Sequence, residues 1–179
     1  MSVDETRRRT NEQRLMIVAE LNELVGLERQ LALAYQHHAV TLEGAWRPVF
    51  GRRWSERSRE SFANAELLAR QVVMLGGQPA LVDVVPPAIP STSSGDPVAR
   101  ALEGLLGLET ERLRAYGRAR SKLQGDETTR IFSQTLMQLA AGASDEVAEL
   151  RLRRSGVEDV LRAGAPVPAS VRTLHPVSR

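Results

Sequence analysis

Residues 21–35 read LNELVGLERQLALAY, and residues 102–116 read LEGLLGLETERLRAY. The second stretch repeats the first after 81 positions (102 − 21 = 81), with leucines, a glycine, a glutamate and a final Ala-Tyr pair in register. Apolar residues in both recur at spacings of three, four and seven, which is the period of one face of an α-helix. Glu28 and Glu109 hold the same place within the two apolar stripes. The repeat therefore predicts a duplicated helix with a carboxylate on the apolar face of each copy.

The composition is that of one helical domain. A length of 179 residues is enough to bury a core, and with 4% aromatic residues that core must consist of leucine, valine and alanine. The absence of cysteine excludes disulfides, thiolate metal sites and thiol nucleophiles. The N-terminus is polar, and no apolar run approaches the roughly 18 residues that span a membrane. We therefore expect a soluble, cytoplasmic protein without membrane contact.

Periodicity and stop signals predict four main helices. These helices are expected over residues 11–42, 54–75, 97–123 and 127–154, followed by a short fifth helix over 156–163. Ser55 and Asp126 are the expected N-caps of the second and fourth helices, Gly76-Gly77 ends the second, and Phe62 is expected to face inward. We predict three segments: a mobile N-terminal tail (1–10), the bundle domain (11–164) and an irregular C-terminal tail (165–179).

The lengths of the connections predict how the helices are arranged. Short links make the first two helices one antiparallel hairpin and the next two another. Residues 78–96, QPALVDVVPPAIPSTSSGD, contain four prolines and form a long crossover that sets the third helix parallel to the second. One long crossover in a four-helix bundle is the ferritin-like arrangement. The predicted fold class is thus an all-α, ferritin-like four-helix bundle with a short fifth helix.

The sequence resembles the bacterioferritins of the ferritin-like superfamily. The resemblance rests on residues 21–28 (LNELVGLE), Tyr35, His38-Ala39, residues 75–79 (LGGQP) and residues 155–161 (SGVEDVL). It covers residues 15–164. It implies a homo-oligomer, up to a closed shell, that stores or detoxifies iron, alone or beside a ferritin-like partner subunit.

Only two of the six metal ligands that the resemblance implies are present. A ferritin-like di-iron centre takes one Glu from each of two helices and a Glu-x-x-His pair from each of the other two, because carboxylates and imidazoles suit iron. Glu28 and Glu109 match the single glutamates. The expected pairs fall on Ser61 and Asn64 and on Ala140 and Ala143, and neither helix contains a histidine. The haem-ligating methionine falls on Phe62, so haem is not expected and iron is the one cofactor left open.

Two interpretations of the paired glutamates follow. Glu28 and Glu109 could form a residual metal site, completed by Glu60, Asn64 or water, in a carboxylate-bridged metal oxidase. A buried glutamate can instead be satisfied by hydrogen bonds.

In that second interpretation, the resemblance implies that Tyr35 reaches Glu109 and that Tyr116 reaches Glu28. We favour this interpretation, with no catalytic residue, because two carboxylates without an imidazole make a weak iron site. Joint substitution of both glutamates by glutamine should then be tolerated.

Other polar residues have simpler expected roles. His37 and His38 are adjacent and point about 100° apart on a helix, so at most one faces inward. We expect His38 to be a packed or interface histidine. Glu66, Asp145 and Glu146 are expected to be solvated or interfacial.

Basic residues near both ends of the predicted bundle raise the question of nucleic acid. They are residues 7–9, Arg151, Arg153 and Arg154. A miniferritin-like protein associated with DNA or cargo is the alternative that they suggest. A net charge of only +2 and the lack of interleaved aromatics favour solvated side chains. The expected function is that of a bacterioferritin-like subunit with an incomplete ferroxidase centre, structural rather than catalytic.

Overall fold

The structure, a computed structural model, describes residues 3–80, 96–123 and 129–164. It contains four long helices, α1 (Val3–Thr41), α2 (Arg47–Met74), α3 (Pro97–Lys122) and α4 (Arg130–Ala163), and a 3-10 turn over Gly44–Trp46. These residues contain no strand. None of the described helices has an apolar stretch long enough to cross a membrane. The fold is the predicted four-helix bundle.

Contacts made by side chains of α1 fix the directions of the helices. Residues early in α1 contact residues late in the second and third helices, and residues late in α1 contact earlier residues of both. The contacting pairs are Arg14–Leu75 and His38–Trp54 between α1 and α2, and Glu20–Lys122 and Tyr35–Glu109 between α1 and α3. Helix α1 is therefore antiparallel to both neighbours, and α2 and α3 are parallel, as the predicted crossover requires. Most of that crossover (81–95) lies outside the described residues.

Helix α1 is longer at its start than predicted. It begins at Val3 instead of residue 11, because the polar residues before residue 11 include good helix formers. Arg8 Nε lies 2.9 Å from Glu12 Oε1, an i, i+4 ion pair that supports the exposed first turns. The mobility of residues 1–10 stays a prediction.

The predicted start of α2 is wrong by seven residues. The helix begins at Arg47, and Pro48 lies in its first turn, where a missing N–H removes no helical hydrogen bond. The Ser55 hydroxyl donates to the Gly51 carbonyl oxygen inside the helix, so Ser55 is not the N-cap. Phe62, predicted to face inward, is 42% exposed.

The separate fifth helix is also a wrong prediction. Residues 156–163 form the last turns of α4, which continues through Gly156 and ends at Gly164 with φ +59°. Leu150 and Val157, seven residues apart, are both buried in one apolar cluster, and this shared face keeps the helix continuous. The predicted Asp126 cap and the C-terminal tail (165–179) lie outside the described residues.

The core has two apolar clusters with a polar layer between them. One cluster includes Leu31, Phe50, Trp54, Leu105 and Leu150. The other includes Leu21, Leu24, Leu68, Tyr116 and Leu136. Along the helices, the buried charged residues of α1, α3 and α4 fall between the two sets. The candidate site is therefore shielded by apolar side chains on both sides.

The end of α2 yields a test of packing. A Cβ atom at Gly77 would lie 2.8 Å from Val18 Cγ1, so the chain approaches α1 closely there. We expect Gly77→Ala to lower the free energy of unfolding by about 1–3 kcal/mol, measured by chemical denaturation. Gly142→Ala is the control, because a Cβ there meets no atom within 4 Å of the described chain and should stabilise α4 by up to about 1 kcal/mol. Equal effects of the two substitutions would contradict this packing.

Candidate functional site at the bundle centre

Five charged side chains from all four helices meet in the polar layer. They are Glu28 of α1, Arg57 of α2, Glu109 and Arg112 of α3, and Glu146 of α4. Glu28 and Glu109 are completely buried, and Arg112 and Glu146 are each 3% exposed. Charges this deep are tolerated only when they are paired and hydrogen-bonded. The pairing of these five residues therefore decides what the site can do.

Arg112 joins the two glutamates of the sequence repeat. Its Nη1 donates to Glu28, at 3.1 Å from Oε1 and 3.3 Å from Oε2. Its Nη2 lies 2.5 Å from Glu109 Oε2. Glu109 and Arg112 are three residues apart and share one face of α3. A single guanidinium thus contacts both buried carboxylates, one from each hairpin.

Two buried tyrosines tie the hairpins together through the same carboxylates. The Tyr116 hydroxyl donates to Glu28 Oε1, and the Tyr35 hydroxyl donates to Glu109 Oε1 at 2.9 Å. These are the contacts that the resemblance implies. Each tyrosine belongs to the hairpin opposite its glutamate, so the α1–α2 and α3–α4 hairpins are linked twice at the centre.

A second arginine holds the remaining buried carboxylate. Arg57 Nε lies 2.9 Å from Glu146 Oε2, and Arg57 Nη2 lies 3.8 Å from Glu109 Oε1. The expectation that Glu146 is solvated or interfacial is therefore wrong. Glu60, a candidate metal ligand, is half-exposed and contacts Arg57 Nη1. Both of these carboxylates are ion-paired to a guanidinium.

The ion pairs continue from the centre towards the surface. Arg53 Nη2 lies 3.1 Å from Glu146 Oε2 and 3.0 Å from Glu149 Oε2. Glu149 in turn pairs with Arg153 at 2.6 Å, and the Arg153 guanidinium lies 5.6 Å from the centre of the Phe50 ring. The network therefore also joins α2 to α4.

The Tyr35 hydroxyl and the Glu109 carboxyl determine where the protons lie at the centre. The Tyr35 hydroxyl also lies 3.2 Å from Glu146 Oε1, yet a phenol has only one proton to donate. The phenol donates this proton to Glu109 Oε1, which is the nearer of the two carboxylate oxygens. Burial raises the pKa of Glu109 to about 7, although the positive charges of Arg112 and Arg57 act in the opposite direction. Protonation of Glu109 below about pH 7 brings the layer close to charge balance.

The other predicted site residues lie apart from this contact network or add no ligand to it. Asn64 is half-buried on α2. The positions where the resemblance puts the missing Glu-x-x-His pairs are Ser61, Asn64, Ala140 and Ala143, and none carries a carboxylate or an imidazole. Within residues 3–80, 96–123 and 129–164, no three His, Cys, Asp or Glu side chains form a group that could hold a metal ion.

His38 is a packed histidine at one end of the bundle. Its ring contacts Trp54 edge to face with centroids 5.8 Å apart, and burial lowers its pKa to about 4. His37 points to solvent. Glu66 and Asp145 are exposed, as expected.

Sequence reasoning missed the arginines, although one signal was available. Arg112 follows Glu109 by three residues and precedes Tyr116 by four, so it lies on the same helical stripe. Arg57 lies only three residues after residue 54, the predicted start of α2, and the helix actually begins seven residues earlier. For Glu146, the spacing of three from Ala143 and four from Leu150 places it on the buried face of α4.

The bridging arginine changes what substitution of the two glutamates should do. Glu28→Gln with Glu109→Gln removes both counter-charges from Arg112, so we expect a loss of about 3–5 kcal/mol of unfolding free energy instead of tolerance. Adding Arg112→Met should recover most of it, because no unpaired charge remains. Urea unfolding of the double and triple variants measures both effects, with exposed Glu66→Gln as control. A double variant as stable as the wild type would show that Arg112 does not depend on these carboxylates.

The raised pKa of Glu109 predicts a pH dependence. The folded state retains the Glu109 proton up to about pH 7, whereas the unfolded state loses it near pH 4.5, so this group's stabilisation falls as pH rises between these values. The difference in unfolding free energy between wild type and Glu109→Gln should decrease by roughly 3 kcal/mol across that interval. His38 acts in the opposite sense in both proteins and cancels. A pH-independent difference would contradict the assignment.

Comparisons with known proteins agree with this architecture. The chain is similar to a solved structure described as ferritin-like, diiron-carboxylate proteins from Bacillus anthracis str. Ames, with 22% identity and a TM-score of 0.67, over 78% of this chain and 95% of that chain. This likeness shows the fold. No curated protein matches the chain in sequence. The family model for Ferritin, the ferritin-like domain, matches residues 18–148, which is more than half of the chain. The chain therefore belongs to the ferritin family.

Proposed function

We propose that this chain is a bacterioferritin-like subunit whose bundle centre is structural and does not oxidise iron. It contributes helical framework and carboxylates to an iron-storing or iron-detoxifying homo-oligomer, or to an assembly with a catalytic ferritin-like partner. The single observation that carries the proposal is the pairing of Glu28 and Glu109 with the guanidinium of Arg112.

The residues present do not fit a di-iron centre. Such a centre needs carboxylates and imidazoles that converge on two cations. Here the guanidiniums of Arg112 and Arg57 lie within 4 Å of the carboxylates of Glu28, Glu109 and Glu146. A metal ion would have to displace these permanent positive charges or face them at close range. No oxidation step is therefore assigned to this site.

Exposed apolar side chains support an oligomer. On the first hairpin they include Leu15, Met16, Phe62, Leu67, Val73 and Met74, each 38–78% exposed, and α4 exposes Ile131, Met137, Leu152 and Leu161. A homo-oligomer would bury such side chains against a second copy of the chain.

The basic residues do not favour the nucleic-acid alternative. Arg8 pairs with Glu12, Arg153 with Glu149, and Arg154 with Glu158. These pairs reduce the positive charge available to phosphate groups.

Iron(II) oxidation kinetics test the proposal. We expect anaerobically loaded protein to show no rapid oxidation phase on mixing with oxygen, and any slow oxidation to be unchanged in the Glu28→Gln variant. Metal analysis of the purified protein should find no iron pair per chain. Rapid oxidation with two irons bound per chain, lost in Glu28→Gln, would refute the structural assignment. Light scattering at micromolar concentration should show an oligomer, and a monomer would remove that part of the proposal.

A further inference from the structure

We infer that Arg112 excludes divalent cations from the bundle centre by serving as a built-in cation between Glu28 and Glu109. This inference rests on the proposed function, because it presumes that the wild-type centre binds no metal. The new claim is that the Arg112 side chain alone is responsible for excluding metal ions. Without it, the carboxylates of Glu28 and Glu109 would accept a cation.

The geometry places Arg112 where a shared cation would lie. One terminal nitrogen contacts both oxygens of Glu28, and the other terminal nitrogen contacts Glu109 Oε2. The two carboxylates come from α1 and α3, so only a group between these helices can contact both. The guanidinium meets this condition while remaining almost completely buried.

The Arg112 guanidinium is held in place more by its attraction to the two carboxylates than by well-aligned hydrogen bonds. Within the described chain, Arg112 Nε and Nη2 have no aligned hydrogen-bond acceptor. The close approach of Nη2 to Glu109 is therefore an ion-pair contact in which the N–H bond does not point at the carboxylate oxygen. Burial without full hydrogen bonding is unfavourable, so the attraction of two carboxylates for one cation is what stabilises this position.

The carboxylates would remain in place if the guanidinium were removed. Glu28 would keep the hydrogen bond from Tyr116, and Glu109 would keep the one from Tyr35. Glu28 would then have no counter-charge and Glu109 only the Arg57 guanidinium at 3.8 Å, so the two carboxylates would attract a cation or a proton. Because every donor is oxygen, a hard divalent ion such as Mn²⁺ is the metal best suited to them.

The test compares Mn²⁺ binding by Arg112→Ala with that of the wild type. We expect R112A to bind one Mn²⁺ per chain, seen as loss of the free Mn²⁺ signal in electron paramagnetic resonance, and the wild type to bind none. Arg118→Ala is the matched control, because Arg118 lies on the same helix and pairs with Glu23 at an exposed site. The combination R112A with Glu28→Gln should lose the gained site.

Each outcome separates the two proposals. A folded R112A that binds no Mn²⁺ overturns the inference and leaves the proposed function standing. Binding by the wild type that Glu28→Gln abolishes overturns the proposed function as well. If R112A does not fold, Arg112→Gln provides the same test with less lost volume. If neither variant folds alone, Mn²⁺ should restore their helical circular dichroism, and failure to restore it overturns the inference.

Discussion

The attraction between one buried guanidinium and two buried glutamates sets the constraint on which the bundle centre depends. Arg112 contacts Glu28 and Glu109, and each of these also accepts a hydrogen bond from a tyrosine of the opposite hairpin. Removing Arg112 leaves Glu28 buried without a counter-charge, and removing both glutamates leaves Arg112 without one. An unpaired buried charge is far costlier than a lost contact. The centre therefore behaves as one interdependent unit.

The apolar clusters on both sides give these charges their strength. Leucines, Phe50 and Trp54 on one side, and a second leucine-rich cluster on the other, keep water from the polar layer. In such an environment ion pairs are screened less than at the surface. The same environment accounts for the raised pKa of Glu109. The duplicated helix thus provides two carboxylates, and Arg112 in the second copy, where the first copy has Leu31, breaks the symmetry between them.

The sequence predicted more of the fold than of the candidate site. The 81-residue repeat, the proline-rich crossover and the glycines at the helix ends were sufficient for the bundle and its helix directions. Pro48 lies before the predicted start of α2, although proline suits the first turn of a helix. Gly156 lies at the predicted start of a fifth helix, although Leu150 and Val157 hold one continuous face. Arg112 was missed because arginine is rarely fully buried. Only the three-dimensional pairing shows that its stripe position is an inward one.

An anomalous-scattering map from crystals grown with iron(II), collected at the iron absorption edge, tests the central claim most directly. We expect density for the Arg112 guanidinium between Glu28 and Glu109, with no anomalous peak within coordination distance of either carboxylate. An ordered anomalous peak bridging the two glutamates, with the arginine side chain displaced, would contradict it.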